Sequence, residues 1–106
     1  MPARTEELVD TGLEYLPGEP VVIRVVRRER RTNLSDDGRA VELAGRPSGW
    51  RDAVERLVER DYALNLSRHG DVFVPVVAAG PGLEPLVRRV AEASRAVHQQ
   101  LLDLDE

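Results

Sequence analysis

Five side chains in this chain have types that could do acid–base or metal chemistry: Asp36, Asp37, His69, Asp71 and His98. The first two lie in Leu34-Ser35-Asp36-Asp37-Gly38-Arg39. Adjacent carboxylates before a glycine pose a choice between a metal loop, an acid/base pair and the start of a helix. The calcium loop of helix–loop–helix proteins alternates its ligands as Asp-x-[Asp/Asn]-x-[Asp/Asn]-Gly and adds a Glu six residues later. Here the aspartates are adjacent, so that alternation is missing. A helix start accounts for more. Ser35 can cap the first turn with its hydroxyl. Asp36 and Asp37 then complement the helix dipole, for about 0.3–1 kcal/mol each. Ala40, Val41, Leu43 and Ala44 follow, and Gly45 with Pro47 supplies a stop. Only Gly38 is left without a role.

The remaining candidates lack their constellations. The two histidines form neither His-x-x-x-His nor His-Glu-x-x-His, the spacings that place two ligands on one helix face. Ser35, Ser48, Ser67 and Ser94 lie outside any Gly-x-Ser-x-Gly setting. Gly80-Pro81-Gly82 is no phosphate loop, because the Gly-Lys-[Ser/Thr] is absent and the chain has no lysine. With no cysteine there are no disulfides, thiolate metal sites or cysteine nucleophiles. The expectation is no catalytic residue, no cofactor and no metal, hence no enzyme. A cysteine-free chain with no charged-then-apolar leader and no apolar run near the roughly 18 residues of a membrane span is expected to be cytoplasmic, without a membrane partner.

One basic cluster stands out. Arg24, Arg27, Arg28, Arg30 and Arg31 are opposed only by Glu29, so residues 21–34 carry +4 against −8 for the rest of a chain whose net charge is −4. A basic ribbon on an acidic body could touch phosphates, as in a nucleic-acid or phosphate binder. Three points oppose it. No aromatic interleaves with the arginines, so bases have nothing to stack on. Only about one helix fits upstream, so no recognition helix precedes the ribbon. All 15 basic residues are Arg, a bias that lowers the information in each. Nucleic acid is therefore the disfavoured partner, and arginines that keep a sheet edge soluble are the plainer reading.

Elements must position these groups. At 106 residues the chain fits one domain, 1–106. Aromatics are 4%, so the core must be aliphatic, with Trp50, Tyr62 and Phe73 as its large pieces. Leu8, Val9, Gly12, Leu13 and Leu16 form a helical stripe over Thr5–Leu16, ended by Pro17-Gly18. Val21–Val26 is β-branched almost throughout and reads as a strand, with a second near Arg30–Leu34 after a turn at Arg28–Glu29. Ser48 can cap a helix from Gly49 to about Asp61. Tyr62–Leu66 and Val72–Val77 alternate as strands about a turn at Arg68–Asp71, and Pro75 places the second at an edge or a bulge. Leu83–Leu104 is the longest helix, with Leu83, Val90, Val97 and Leu104 at seven-residue spacing and Leu86, Val87, Ser94 and Leu101 widening the stripe. The class is α+β: a small antiparallel sheet of two hairpins with helices packed on it, in the order α-β-β-α-α-β-β-α.

A hairpin leading into Leu34-Ser35-Asp36-Asp37-Gly38, then helix, hairpin and long helix, resembles a bacterial and phage domain family of unknown function. That family carries a Leu-[Ser/Thr]-Asp-Asp-Gly turn after its first strands. The match covers about residues 20–104, and the resemblance implies a fold and no activity. The element order is also similar to that of the small acidic chaperones of type III secretion, with one strand fewer. Those are dimeric helix-and-sheet proteins that hold another protein's extended segment.

The expected function is thus an interaction module, a homodimer that also binds another protein. Its expected surfaces are Leu83, Val90, Val97, Leu101 and Leu104 on the last helix, and Val72, Val74 and Val76 on the edge strand, which could accept another chain's strand.

Overall fold

The computed structural model describes residues 4–77 and 82–104. Five strands form one antiparallel sheet: β1 (Thr5–Leu16), β2 (Glu19–Arg27), β3 (Arg31–Ser35), β4 (Asn65–Leu66) and β5 (Val72–Val77). Their order across the sheet is β1-β2-β3-β5-β4. Helices α1 (Arg39–Leu43) and α2 (Trp50–Arg56) lie between β3 and β4 in the chain, and α2 runs on into one wider π-helical turn, Leu57–Asp61. The last helix is α3 (Leu83–Leu104). The fold is α+β with an antiparallel sheet and a long C-terminal helix, as expected. The expected break at Gly80-Pro81 lies outside the described residues.

The first element corrects the reading. Thr5–Leu16 is a strand, not a helix, and it pairs with β2 from Thr5↔Arg27 to Leu16↔Glu19. Exposure alternates along its second half: Val9, Thr11 and Leu13 are half-buried and Tyr15 is buried, while Leu8, Asp10, Gly12, Glu14 and Leu16 are exposed. That is a two-residue period. Leu8 and Leu16 on the wet face hid it and completed a helical stripe instead. Pro17-Gly18 is then a hairpin turn rather than a helix end. Gly18 has φ +90° after a proline, which suits the third position of a type II turn. Gly12 falls in the register shift between Asp10 and Glu14, where the Thr11 hydroxyl donates to the Val21 carbonyl at 2.7 Å.

Val21, Ile23 and Val25 of β2, with Leu34 of β3 and Val72 of β5, line the inner face and are closed to solvent. Against them lie Val90, Ala91, Ala93, Val97 and Leu101 of α3, with Val41 and Val54 from the two short helices. Burial of these aliphatic side chains supplies the main stabilisation, about 1.5–3 kcal/mol for each large one. The one aromatic in this core is Tyr15. Of the expected large pieces, Trp50 and Tyr62 are half-buried at its margin, and Phe73 is half-buried on the opposite face of the sheet.

β5 is an edge only in part. Its start pairs with the two-residue β4, as Leu66↔Val72 and Asn65↔Phe73, and its whole length pairs with β3. Past Phe73, no described strand pairs with its other side, and Pro75 sits in that stretch, where its missing N–H costs no ladder bond. The expected strand from Tyr62 to Leu66 shrinks to Asn65–Leu66, because the π-helical turn and Ala63, at φ +55°, take up its first half.

Candidate functional site

The opening aspartates lie at the crossing of three elements. Ser35 ends β3 and does not cap a helix; its hydroxyl accepts from the Asp37 N–H at 2.9 Å. The helix starts only at Arg39, and no side chain caps it. Asp36 and Asp37 therefore precede the first turn instead of occupying it. Their fates differ. Asp37 is exposed and pairs with Arg24 at 2.8 Å. Asp36 is 2% exposed.

Asp36 holds the domain together from inside. Its Oδ1 accepts from the Gly38 and Val72 N–H groups, each at 2.8 Å, and its backbone N–H donates to the Val72 carbonyl at 3.1 Å. Its Oδ2 accepts from the Ser94 hydroxyl of α3. Ser94 has a single proton to give, so Tyr15 O–H donates to Ser94 Oγ, at 2.7 Å. The chain Tyr15→Ser94→Asp36 thus links β1, α3, the β3–α1 turn and the start of β5. Burial pushes the Asp36 carboxyl up to about 6; the bonds from Ser94, Val72 and Gly38 oppose the rise without cancelling it, and Asp71 adds to it. Tyr15 is also pushed up, first by burial and then by the Asp36 charge.

Gly38 now has its role. Its φ is +72°, and a Cβ there would stand 2.9 Å from Asp71 Oδ1. The glycine turns the chain from β3 into α1 while the β4–β5 loop presses against it.

His98 lies one helical turn beyond Ser94, 1% exposed, with its ring edge-on to Tyr15 at 5.5 Å between centroids. Neither ring nitrogen has a hydrogen-bond partner among the described residues, and burial lowers its pKa. A serine, a carboxylate and a histidine thus share one region without forming a relay. Ser94 gives its proton directly to Asp36, His98 bonds to neither, and all three are closed to solvent. The arrangement positions α3 on the sheet, and a buried polar network of this kind rewards one docking register over its neighbours. His69 is exposed in the β4–β5 loop, far from this chain in role and bonding.

The residues expected to meet partners are spread more widely. Val90, Val97 and Leu101 are wholly buried against the protein's own sheet, as is Val72. They are not available to a partner while α3 is docked. Val74 and Val76 are half-buried on the inner face; Leu83 is half-buried, and Leu104 is 44% exposed at the far end of α3. The apolar spacing of α3 therefore reports the protein's own core. Among the hairpin arginines, Arg24 pairs with Glu6 and Asp37, and Arg27 with Glu7 at a long 3.9 Å. Arg28, Arg30 and Arg31 make no ion pair among the described residues.

Two surfaces were not legible beforehand, because both depend on β1 being a strand. The first is a groove of about 730 Å³ between the inner face of β1–β2 and the first turns of α3. Val9, Val25, Leu83, Pro85 and Val87 line its apolar part, and Glu7, Arg27, Glu84 and Arg88 border it. The second is the outer sheet face. Register places Leu8, Val22, Arg24, Val26, Asn33, Phe73, Pro75 and Val77 on it. Leu8 is 62% and Val77 76% exposed.

Comparison with protein-family models, curated proteins and solved structures found no match to this chain. Among the described residues, no helix is long and apolar enough to cross a membrane, and no three His, Asp or Glu side chains gather as a metal site would require.

Proposed function

We propose that this chain is a non-enzymatic, cytoplasmic protein-interaction module that takes up an extended segment of another protein along β1. The observation that carries this is the continuity of two features: β1, a 12-residue strand at the end of the sheet, and the apolar groove bordered by its Glu7, Val9 and Thr11. An added strand gains main-chain hydrogen bonds from an open edge and specificity from pockets for alternate side chains. β1 carries Glu6, Glu7, Asp10 and Glu14 and no cation. Antiparallel pairing of β1 with its own copy over its full length, Thr5 opposite Leu16, would set Glu7 against Glu14 twice, which is destabilising. The segment that fits is therefore a foreign one, with apolar residues at alternate positions and Arg or Lys facing Asp10 and Glu14.

The test is selection of peptides from a random library, followed by amide exchange on the complex. Bound peptides should alternate as described and slow exchange along β1, and Val9→Arg should abolish binding. Peptides that protect another surface, or that survive Val9→Arg, refute the reading.

A second reading, two copies joined through α3, is favoured by Leu102 and Leu104, 42% and 44% exposed at its C-terminal end. The contact would use the ends of the helix, Leu83 included, and not the buried seam. Light scattering at high micromolar concentration decides it: a monomer removes this homodimer.

A further inference from the structure

At the other end of the molecule's charge pattern, the outer sheet face has a recess of about 280 Å³ beside the β2–β3 turn. Arg4, Arg28 and Arg31 surround it, Asn33 adds an amide, and Val26 and Pro75 supply apolar walls. These groups come from five separate stretches of chain: the residue before β1, the end of β2, the turn, β3 and β5. Antiparallel register gathers them at one end of the face, since Val26↔Asn33 and Asn33↔Pro75 are cross-strand pairs and Thr5 pairs with Arg27.

Among the described residues, no carboxylate lines the recess. That is unusual in a chain with 19 acidic residues and 15 basic ones, where Arg24, Arg39, Arg51 and Arg88 each meet a carboxylate within 3.3 Å. Arg4 shares its charge with Glu6 at 3.1 Å, but Arg28 and Arg31 have no acidic partner among the described residues. Like charges held side by side around a concavity, without counter-charge, are stabilised by an anion placed between them. Guanidinium groups donate in forks that match phosphate oxygens, and an amide adds a further donor.

We propose that this recess binds one phosphate dianion, free or as the end of a small phosphomonoester. A polynucleotide fits the observations less well. No aromatic lines the recess for a base to stack on, and a chain of net charge −4 repels a long polyanion everywhere else. The site is separate from the β1 groove, so the two proposals stand or fall apart.

The test is a titration of the isotope-labelled chain with inorganic phosphate, and in parallel with glycerol 3-phosphate, followed through backbone amides and arginine Nε–H signals. Potassium chloride at matched ionic strength is the control. Saturable shifts confined to Arg4, Arg28, Arg31 and Asn33 are expected. Tighter binding of glycerol 3-phosphate would identify a monoester ligand, and equal or weaker binding would identify free phosphate. Arg28→Gln and Arg31→Gln should each weaken binding by about tenfold, the usual loss for one charge-assisted hydrogen bond. Arg60→Gln, exposed in the π-helical turn after α2 and outside the recess, should leave it unchanged. Shifts matched by chloride, or spread over all arginines, overturn the proposal. So does a single-stranded oligonucleotide that shifts these residues when inorganic phosphate does not.

Discussion

Ionised Asp36 should cost this fold free energy, and replacing it with asparagine should show how much. Three hydrogen bonds reach the carboxylate, yet no cation among the described residues pairs with it, and burial moves its pKa from 3.8 to about 6. A displacement of that size corresponds to about 3 kcal/mol against the ionised form at neutral pH. The folded pKa lies above the unfolded one, so the folded state holds the proton more tightly. The contribution is fully present below pH 3.8 and is lost as pH rises through about 6. Asparagine imitates the neutral acid: its oxygen can accept from the Gly38 and Val72 N–H groups, and its NH₂ can donate to Ser94 Oγ. Asp36→Asn should therefore be more stable than the parent at pH 7, and the advantage should shrink by about 1 kcal/mol between pH 7 and pH 5 as the parent takes up its proton. Urea unfolding of both proteins at pH 5, 6 and 7 measures this, and other titrating groups cancel in the difference. A difference independent of pH, or one that grows toward pH 5, would refute the account of the buried carboxylate.

His98 should act in the opposite sense. Its folded pKa lies below the ordinary 6.5, so its contribution is present above that value and lost as pH falls; His98→Leu should flatten the acid side of the stability curve in the same urea experiment. Gly38→Ala should cost about 1–2 kcal/mol, mainly from φ +72°, since the Asp71 carboxylate can swing away from the added Cβ; a thermal melt with and without Asp71→Ala checks this, and the second change should recover little of the loss. Leu101→Ala should cost about 2–5 kcal/mol and Leu104→Ala less than about 0.5, because only the first is buried; equal losses in urea would contradict the placement of the α3 seam.

The strongest periodic signals were legible from the residues alone. Val21–Val26 could be little but a strand, and Leu83–Leu104 could be little but an amphipathic helix. Both rest on local stereochemistry and a run of side chains long enough to show its period. Thr5–Leu16 shows where that source fails. Leu8, Val9, Leu13 and Leu16 fit a helix, whereas Val9, Leu13 and Tyr15 fit a strand; neither pattern prevails within 12 residues. The choice was made by β2, whose backbone edge away from β3 takes its ladder hydrogen bonds from β1.

Asp36 and Asp37 make the same point for the site. They are identical and adjacent, and propensity treats them alike, so the sequence puts both in the first turn of a helix that starts only at Arg39, and cannot tell them apart. One ends up exposed on Arg24. The other is buried, because β5 and α3 bring the Val72 N–H and the Ser94 hydroxyl to it from 36 and 58 residues away. The spacing of Val90, Val97 and Leu101 likewise told that α3 buries one face, but not against what. Sequence by itself determined the class of fold, the aliphatic core and the position of the long helix, all governed by neighbours along the chain. Tertiary structure alone decided which carboxylate is buried, which edge is open and which arginines keep no partner, because those depend on side chains that meet only after the sheet has formed.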